Sequence, residues 1–174
     1  VISDLGGGGV DFRQFMFPGI LAMTVMFTSI FSAISIVWDR EFGFLKEVMV
    51  APISRVSVAL GKVVGGSTIA LFQGAIILLL SPLLNISLTF FQIVSLLGLM
   101  LLLASMMTSL GILIASRQRS MEGFQMIMNF FLMPMLFLSG AFFPLKDIPV
   151  WMDIITKLDP VAYGVDPLRS TVLQ

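Results

Sequence analysis

The sequence predicts an all-α integral membrane protein, and three observations carry that expectation. Of the 174 residues, 57% are hydrophobic and only 11% are charged, against about 25% charged in an ordinary soluble domain. The mean hydropathy is +1.04. Charge is also absent from long continuous stretches: none falls between Arg13 and Asp39, between Lys62 and Arg117, or between Glu122 and Lys146. A soluble fold this short of charge lacks the polar surface to cover itself.

A membrane helix needs about 20 apolar residues to cross a hydrocarbon core of about 30 Å. The first charge-free stretch supplies one span, about 17–38. The 54 residues between Lys62 and Arg117 hold two, about 63–84 and 94–116. They part near Ser81-Pro82-Leu83-Leu84-Asn85, because Pro and Asn favour turns. A fourth span covers about 123–145, with Pro134 as a kink position. None of them contains Lys, Arg, Asp or Glu, each of which costs about 2.5–3.5 kcal/mol at a helix centre.

Four spans place both ends of the chain on one side, and the basic residues of the short loops set the direction. Arg40, Lys46, Arg55 and Lys62 lie in the 39–62 connection, and Arg117 and Arg119 in the next short loop. The other side has Arg13, Lys146, Lys157 and Arg169 spread over longer segments. The denser side is expected to be cytoplasmic. The chain starts at Val1 with no basic-then-apolar leader, so it is expected to be a segment of a longer gene product.

Two segments outside the spans have helical spacing. In 40–50, Phe42, Leu45, Val48 and Met49 share a face away from Arg40, Lys46 and Glu47, and Pro52 ends the pattern. This predicts a short amphipathic helix on the cytoplasmic surface, either resting on headgroups or docking a cytoplasmic partner. In 146–168, Pro149 suits a first helical turn, and Val150, Ile154, Ile155 and Leu158 mark one apolar face. Trp151 and Tyr163 are residue types of the headgroup boundary, so short interfacial helices on the outer side are expected, as an anchor or as a cap over a route.

The composition excludes several kinds of chemistry. With no Cys and no His, there is no thiol nucleophile, no disulfide and no imidazole for acid–base work or zinc. Ten basic residues balance ten acidic ones without the clusters that bind nucleic acid. Gly6–Gly9 lead into Asp11, Phe12 and Arg13 rather than into a P-loop lysine, and Gly61-Lys62 lacks the earlier glycine. The thirteen Met residues have no Cys or His beside them to complete a copper site, so they are read as adaptable packing. No metal and no cofactor is expected on the chain.

Within the spans, the candidate path residues are polar and uncharged: Gln73, Asn129, Ser105 and Thr108. Such groups face the protein interior, where they bond between helices or line a route. Gly66, Ala70 and Gly74, and likewise Gly111 and Ala115, form small-residue stripes that permit close helix approach.

The combination of motifs resembles the permease of ABC-2 type exporters, the drug-exporter branch most closely. Phe17-Pro18-Gly19-Ile20 opens the first span; Trp38-Asp39-Arg40-Glu41, Leu45-Lys46, Ala51-Pro52-Ile53-Ser54-Arg55 and Gly61-Lys62 follow. Leu138-Ser139-Gly140, Phe143-Pro144, Ile148-Pro149, Trp151, Asp159-Pro160, Tyr163 and Asp166-Pro167-Leu168-Arg169 close it. The resemblance implies spans two to five of six, in a bacterial or archaeal cell membrane. It implies that Arg40, Glu41, Phe44, Leu45 and Lys46 lie on a coupling helix seated on a separate ATPase subunit, which holds ATP and Mg. It implies an outer gate that includes Phe142, Phe143, Trp151 and Tyr163. The chain itself would not be an enzyme. Paired with a second permease, identical or a sister, it would export a hydrophobic drug, a lipid or a lipid-linked glycan. A non-transporting membrane anchor or regulatory subunit, or an ion-coupled secondary transporter, are the alternatives; the last usually keeps ionisable groups at the midplane, which these spans lack.

Overall fold

The computed structural model describes residues 12–44, 47, 50, 52, 54–84, 86, 88–139 and 161–173. Among these there is no strand. The elements are α1 (Phe12–Ser32), α2 (Ile34–Glu41), α3 (Arg55–Leu79), a 3₁₀ turn (Ser81–Leu84), α4 (Phe90–Ala115), α5 (Met121–Leu138) and α6 (Ala162–Leu173). Four helical stretches are long and apolar enough to cross a membrane: Met16–Glu41, Arg55–Leu83, Phe90–Ala115 and Met121–Leu138. At 1.5 Å per residue, the 26 residues of the first reach about 39 Å, more than a hydrocarbon core. The second and third helices start before the expected spans, at Arg55 rather than near 63 and at Phe90 rather than near 94. The fourth runs Met121–Leu138 against an expected 123–145, of which 140–145 lie outside the described residues.

The first stretch is broken at Ala33. There the Ala33 amide donates to the Ile30 carbonyl at 3.1 Å, and the Ile36 amide to the Ala33 carbonyl at 3.0 Å. These i→i−3 bonds tighten the helix locally and separate α2 from α1. The starts of the other helices are written in short polar side chains, which satisfy orphan amides. Ser54 accepts from the Ser57 amide at 3.1 Å, and Ser120 from the Gly123 amide at 3.2 Å. Thr89 and Gln92 form a capping box.

The core lies where α1, α3 and α4 cross, with α6 against α1 and α4. Leu21, Val25, Met26, Leu96, Met100 and Met107 are fully buried. Small residues bring the backbones together. A methyl added at Gly66 would meet Ser32 and Thr108, and one added at Gly111 would meet Ala33 and the Ile30 carbonyl. α5 brings its backbone closest to α2 and buries Phe124, Met128, Leu132 and Leu136 in the common core.

The outer segment expected over 146–168 differs from the structure where it can be compared. Residues 146–160, with Trp151, lie outside the described residues. From Ala162 the chain is helical to Leu173, and this helix is not interfacial along its length. Val161, Val165 and Leu168 are fully buried, a methyl on Gly164 would press on Leu103 halfway along α4, and the Gln92 amide nitrogen donates to the Thr171 carbonyl at 3.1 Å. α6 thus runs antiparallel to α4, from mid-bundle to the end where α4 begins. The cause is an apolar stripe at 161, 165 and 168 beside a glycine, which suits close packing on a helix as well as it suits a lipid surface.

Candidate functional site

The polar chemistry of the bundle gathers at one end, which carries Arg40, Lys62, Arg117 and Arg119 and is called here the basic end. α2 stops there because Phe42 caps it and Gly43 takes a left-handed φ of +81°. The Phe42 amide reaches the Trp38 carbonyl at 2.9 Å and the Gly43 amide the Arg40 carbonyl at 3.3 Å. A glycine just past a helix end adopts this conformation without a Cβ penalty. Beyond it, Phe44, Glu47 and Val50 are helical and exposed.

Three ties hold the end of α2 to its neighbours. Lys62 Nζ of α3 pairs with Asp39 Oδ2 at 2.6 Å and donates to Ser35 Oγ at 3.0 Å. Arg40 donates through Nη1 to the Gln118 carbonyl at 2.6 Å and through Nη2 to the Ser116 carbonyl at 2.8 Å. The Trp38 indole N–H points to Met121 Sδ at the start of α5. Ser116 follows the last turn of α4, where carbonyls lack helical donors and the macrodipole favours a cation.

Of the five residues assigned to a coupling helix over 40–50, Arg40 and Glu41 close α2, and Gly43 divides them from Phe44. Arg40 turns inward to the loop between α4 and α5; Glu41 is exposed, and Phe44 is 53% exposed. The side chains of Leu45 and Lys46 lie outside the described residues. Sequence reasoning left Ser35, Trp38, Asp39 and Lys62 unassigned at this junction. The signal available was an acid and a base placed at the edges of successive charge-free stretches.

The four path candidates do not converge. Gln73 on α3 is exposed and accepts from Thr28 Oγ1 of α1 at 2.5 Å. Ser105 bonds to its own helix, at the Leu102 carbonyl, 2.9 Å away. Thr108 is fully buried at the crossing with Gly66, and Asn129 is exposed on α5. Of the gate candidates, Phe142, Phe143 and Trp151 lie outside the described residues, and Tyr163 is 66% exposed in the first turn of α6. Among the described residues, no group of three or more His, Cys, Asp or Glu could hold a metal ion. An apolar cavity of about 250 Å³ lies between α5, α1 and α4, lined by Ile30, Met128 and Leu132 among others.

Four long apolar helices, with the few charges of the first, second and fourth confined to their ends, make a multi-pass membrane protein. Its chain belongs to the ABC-2 type transporter family, which matches residues 1–173. Among curated relatives, it is 35% identical to a protein of Cyanophora paradoxa named as transport permease ycf38, over 91% of this chain and 56% of that one. It is 27% identical to Escherichia coli YbhR, named as a multidrug ABC transporter permease, over 100% of this chain and 48% of that one. It is 28% identical to E. coli YadH, named as an inner membrane transport permease, over 92% and 63%. The chain thus spans about half the length of the curated relatives it matches. No solved structure matches it.

Proposed function

We propose that the chain is spans two to five of a permease subunit in an ATP-driven exporter. The basic end faces the cytoplasm, and the segment after Gly43 seats on an ATPase subunit that binds ATP and Mg. The observation that carries this reading is the juxtaposition at that end. Glu41 and Phe44 are exposed where α2 ends at a junction of ion pair and charged hydrogen bonds, and Glu47 and Val50 further along the chain are exposed as well. Exposed apolar residues set among charges of both signs, Glu41, Lys46 and Glu47, suit a groove on a protein partner with complementary rims. Membership of the ABC-2 family and the transport names of the relatives support the same reading.

Closure of the ATPase pair on ATP shifts the docked segments, and two paired permeases, identical or sister chains, then open to the outside. Such a switch requires the ATPase to favour one permease state over the other. Spans with no charge along their central turns suit a hydrophobic cargo: a drug, a lipid or a lipid-linked glycan.

The test uses the full-length gene, tagged and purified from its own membranes. A nucleotide-binding subunit is expected to co-purify, and the double change Glu41→Lys with Phe44→Ala to reduce its retention at least about tenfold, as loss of an interface anchor does. If no ATPase accompanies the permease, or if the double change leaves retention intact, the reading fails and the chain serves as a membrane anchor instead.

A further inference from the structure

Arg40 stands between two things that a transport cycle has to connect: the exposed segment after Gly43 and the span α5. α2 is a rod of eight residues, separated from α1 by the turn at Ala33 and from the exposed segment by Gly43. It is also the element whose backbone α5 approaches most closely, while a cavity of about 250 Å³ lies between α5, α1 and α4 further along. The α4–α5 loop is five residues long, 116–120, and ends in Ser120, which caps α5. The Arg40 guanidinium holds two carbonyls of that loop, Ser116 at 2.8 Å and Gln118 at 2.6 Å. A planar fork fixes both position and angle in a way that the single-point ammonium of lysine does not.

We propose that Arg40 is a positioning residue that ties the coupling segment to the α4–α5 hairpin, so that displacement of the segment moves the basic end of α5. The proposal rests on the reading that an ATPase docks after Gly43. Asp39 and Lys62 supply the counterpart on the other flank, where their pair at 2.6 Å holds α2 to α3. The two flanks differ in kind: α3 approaches Ser32 of α1 and Thr108 of α4 closely at Gly66, whereas α5 borders a cavity. Motion of α2 is therefore delivered to α5.

The test uses the full-length permease with its co-purified ATPase in lipid vesicles, in a background without other cysteines. Spin labels at Leu113→Cys on α4 and Met126→Cys on α5, both exposed positions, report the separation of α5 from the bundle without and with ATP. In the unaltered complex, ATP is expected to change that separation. Arg40→Gln is expected to abolish at least half of the change while the same amount of ATPase stays bound, and Arg40→Lys to fall between. A merely structural arginine would not move this readout while assembly persists. A full change in Arg40→Gln overturns the proposal. If that variant does not assemble, Arg40→Lys decides: a reduced change supports the proposal and a full one overturns it. An unaltered complex that binds ATPase but shows no change overturns this inference alone. Absence of any ATPase overturns the exporter reading and this inference together.

Discussion

Two glycines in the same helix should respond oppositely to the same added methyl group. Gly111 of α4 lies where α1 crosses it. A Cβ there would sit 2.9 Å from Ala33 Cβ, 3.0 Å from the Ile30 carbonyl oxygen and 3.3 Å from Ile30 Cα. None of these atoms is the end of a flexible side chain, so α1 and α4 must separate. Carbon contacts are optimal at about 3.5–4.0 Å, which asks for a shift of roughly 0.5–1 Å. A gap of that size forfeits a quarter to a half of the dispersion energy of neighbouring contacts, and overpacking of this kind costs about 1–3 kcal/mol. Gly98, thirteen residues earlier, has nothing within 4 Å of an added Cβ. Gly98→Ala therefore keeps only the helix-propensity gain of up to about 1 kcal/mol, reduced in a membrane because the helices persist in the unfolded reference.

The expected separation between Gly111→Ala and Gly98→Ala is thus roughly 2 kcal/mol, with Gly111→Ala the less stable. The assay is unfolding of the full-length permease in mixed micelles titrated with SDS. Each midpoint is read by intrinsic fluorescence and converted with a common slope. Equal midpoints for the two variants would refute the close crossing of α1 and α4, and a Gly98→Ala variant less stable than Gly111→Ala would reverse the assignment of the packed face.

The same unfolding assay checks the polar ties. Asp39→Asn and Lys62→Met, taken singly and together, should show a coupling of about 0.5–1 kcal/mol, the range for a partly exposed pair; additive effects would remove the tie between α2 and α3. Thr28→Val and Gln73→Leu should couple by about 0.6 kcal/mol, the average for a hydrogen bond between membrane helices, and Gln73→Leu alone should not stabilise the protein. Ser54→Ala should cost about 1 kcal/mol as a lost N-cap, and the Ser57 amide, which Ser54 accepts at 3.1 Å, should exchange with solvent faster.

The four long helices are legible in the sequence because they depend on a quantity that needs no partner: a charge-free run is expensive anywhere but in hydrocarbon. The contacts between them are a different matter. Arg40 reads as a surface charge at a helix end, and nothing in a sequence says that its acceptors are the backbone carbonyls of Ser116 and Gln118, since every residue carries a carbonyl. Gly43 could have been recognised as a helix stop, yet the apolar spacing of Phe42, Leu45 and Val48 runs across it and predicts one continuous helix. The burial of α6 was hidden for a related reason. A stripe at Val161, Val165 and Leu168 has the same period whether it faces lipid or α4, and only Gly164 hinted at a close approach. Gln73 was singled out by its cost in a membrane, but its bond to Thr28 depends on the depth at which α1 and α3 cross, which hydropathy does not encode.

The distribution of side-chain size separates a fixed part of the bundle from a part with less to lose by moving. Where α1, α3, α4 and α6 meet, the approach is set by Gly66, Gly74, Gly111 and Gly164, and side chains or backbone of the facing helix fill the space that a Cβ would need. Sliding α4 past α1 drives Gly111 against the Ile30 backbone within a fraction of an ångström, so that crossing resists shear. α5 meets α1 and α4 differently, with Met128, Leu132 and Met135 bordering an apolar cavity, and unbranched Met side chains re-pack at low cost. A displacement of α5 exchanges one set of apolar contacts for another. What it does disturb is the basic end, where the Ser116 and Gln118 carbonyls are held by Arg40. The resistance to motion is therefore concentrated at the point where an ATPase would push.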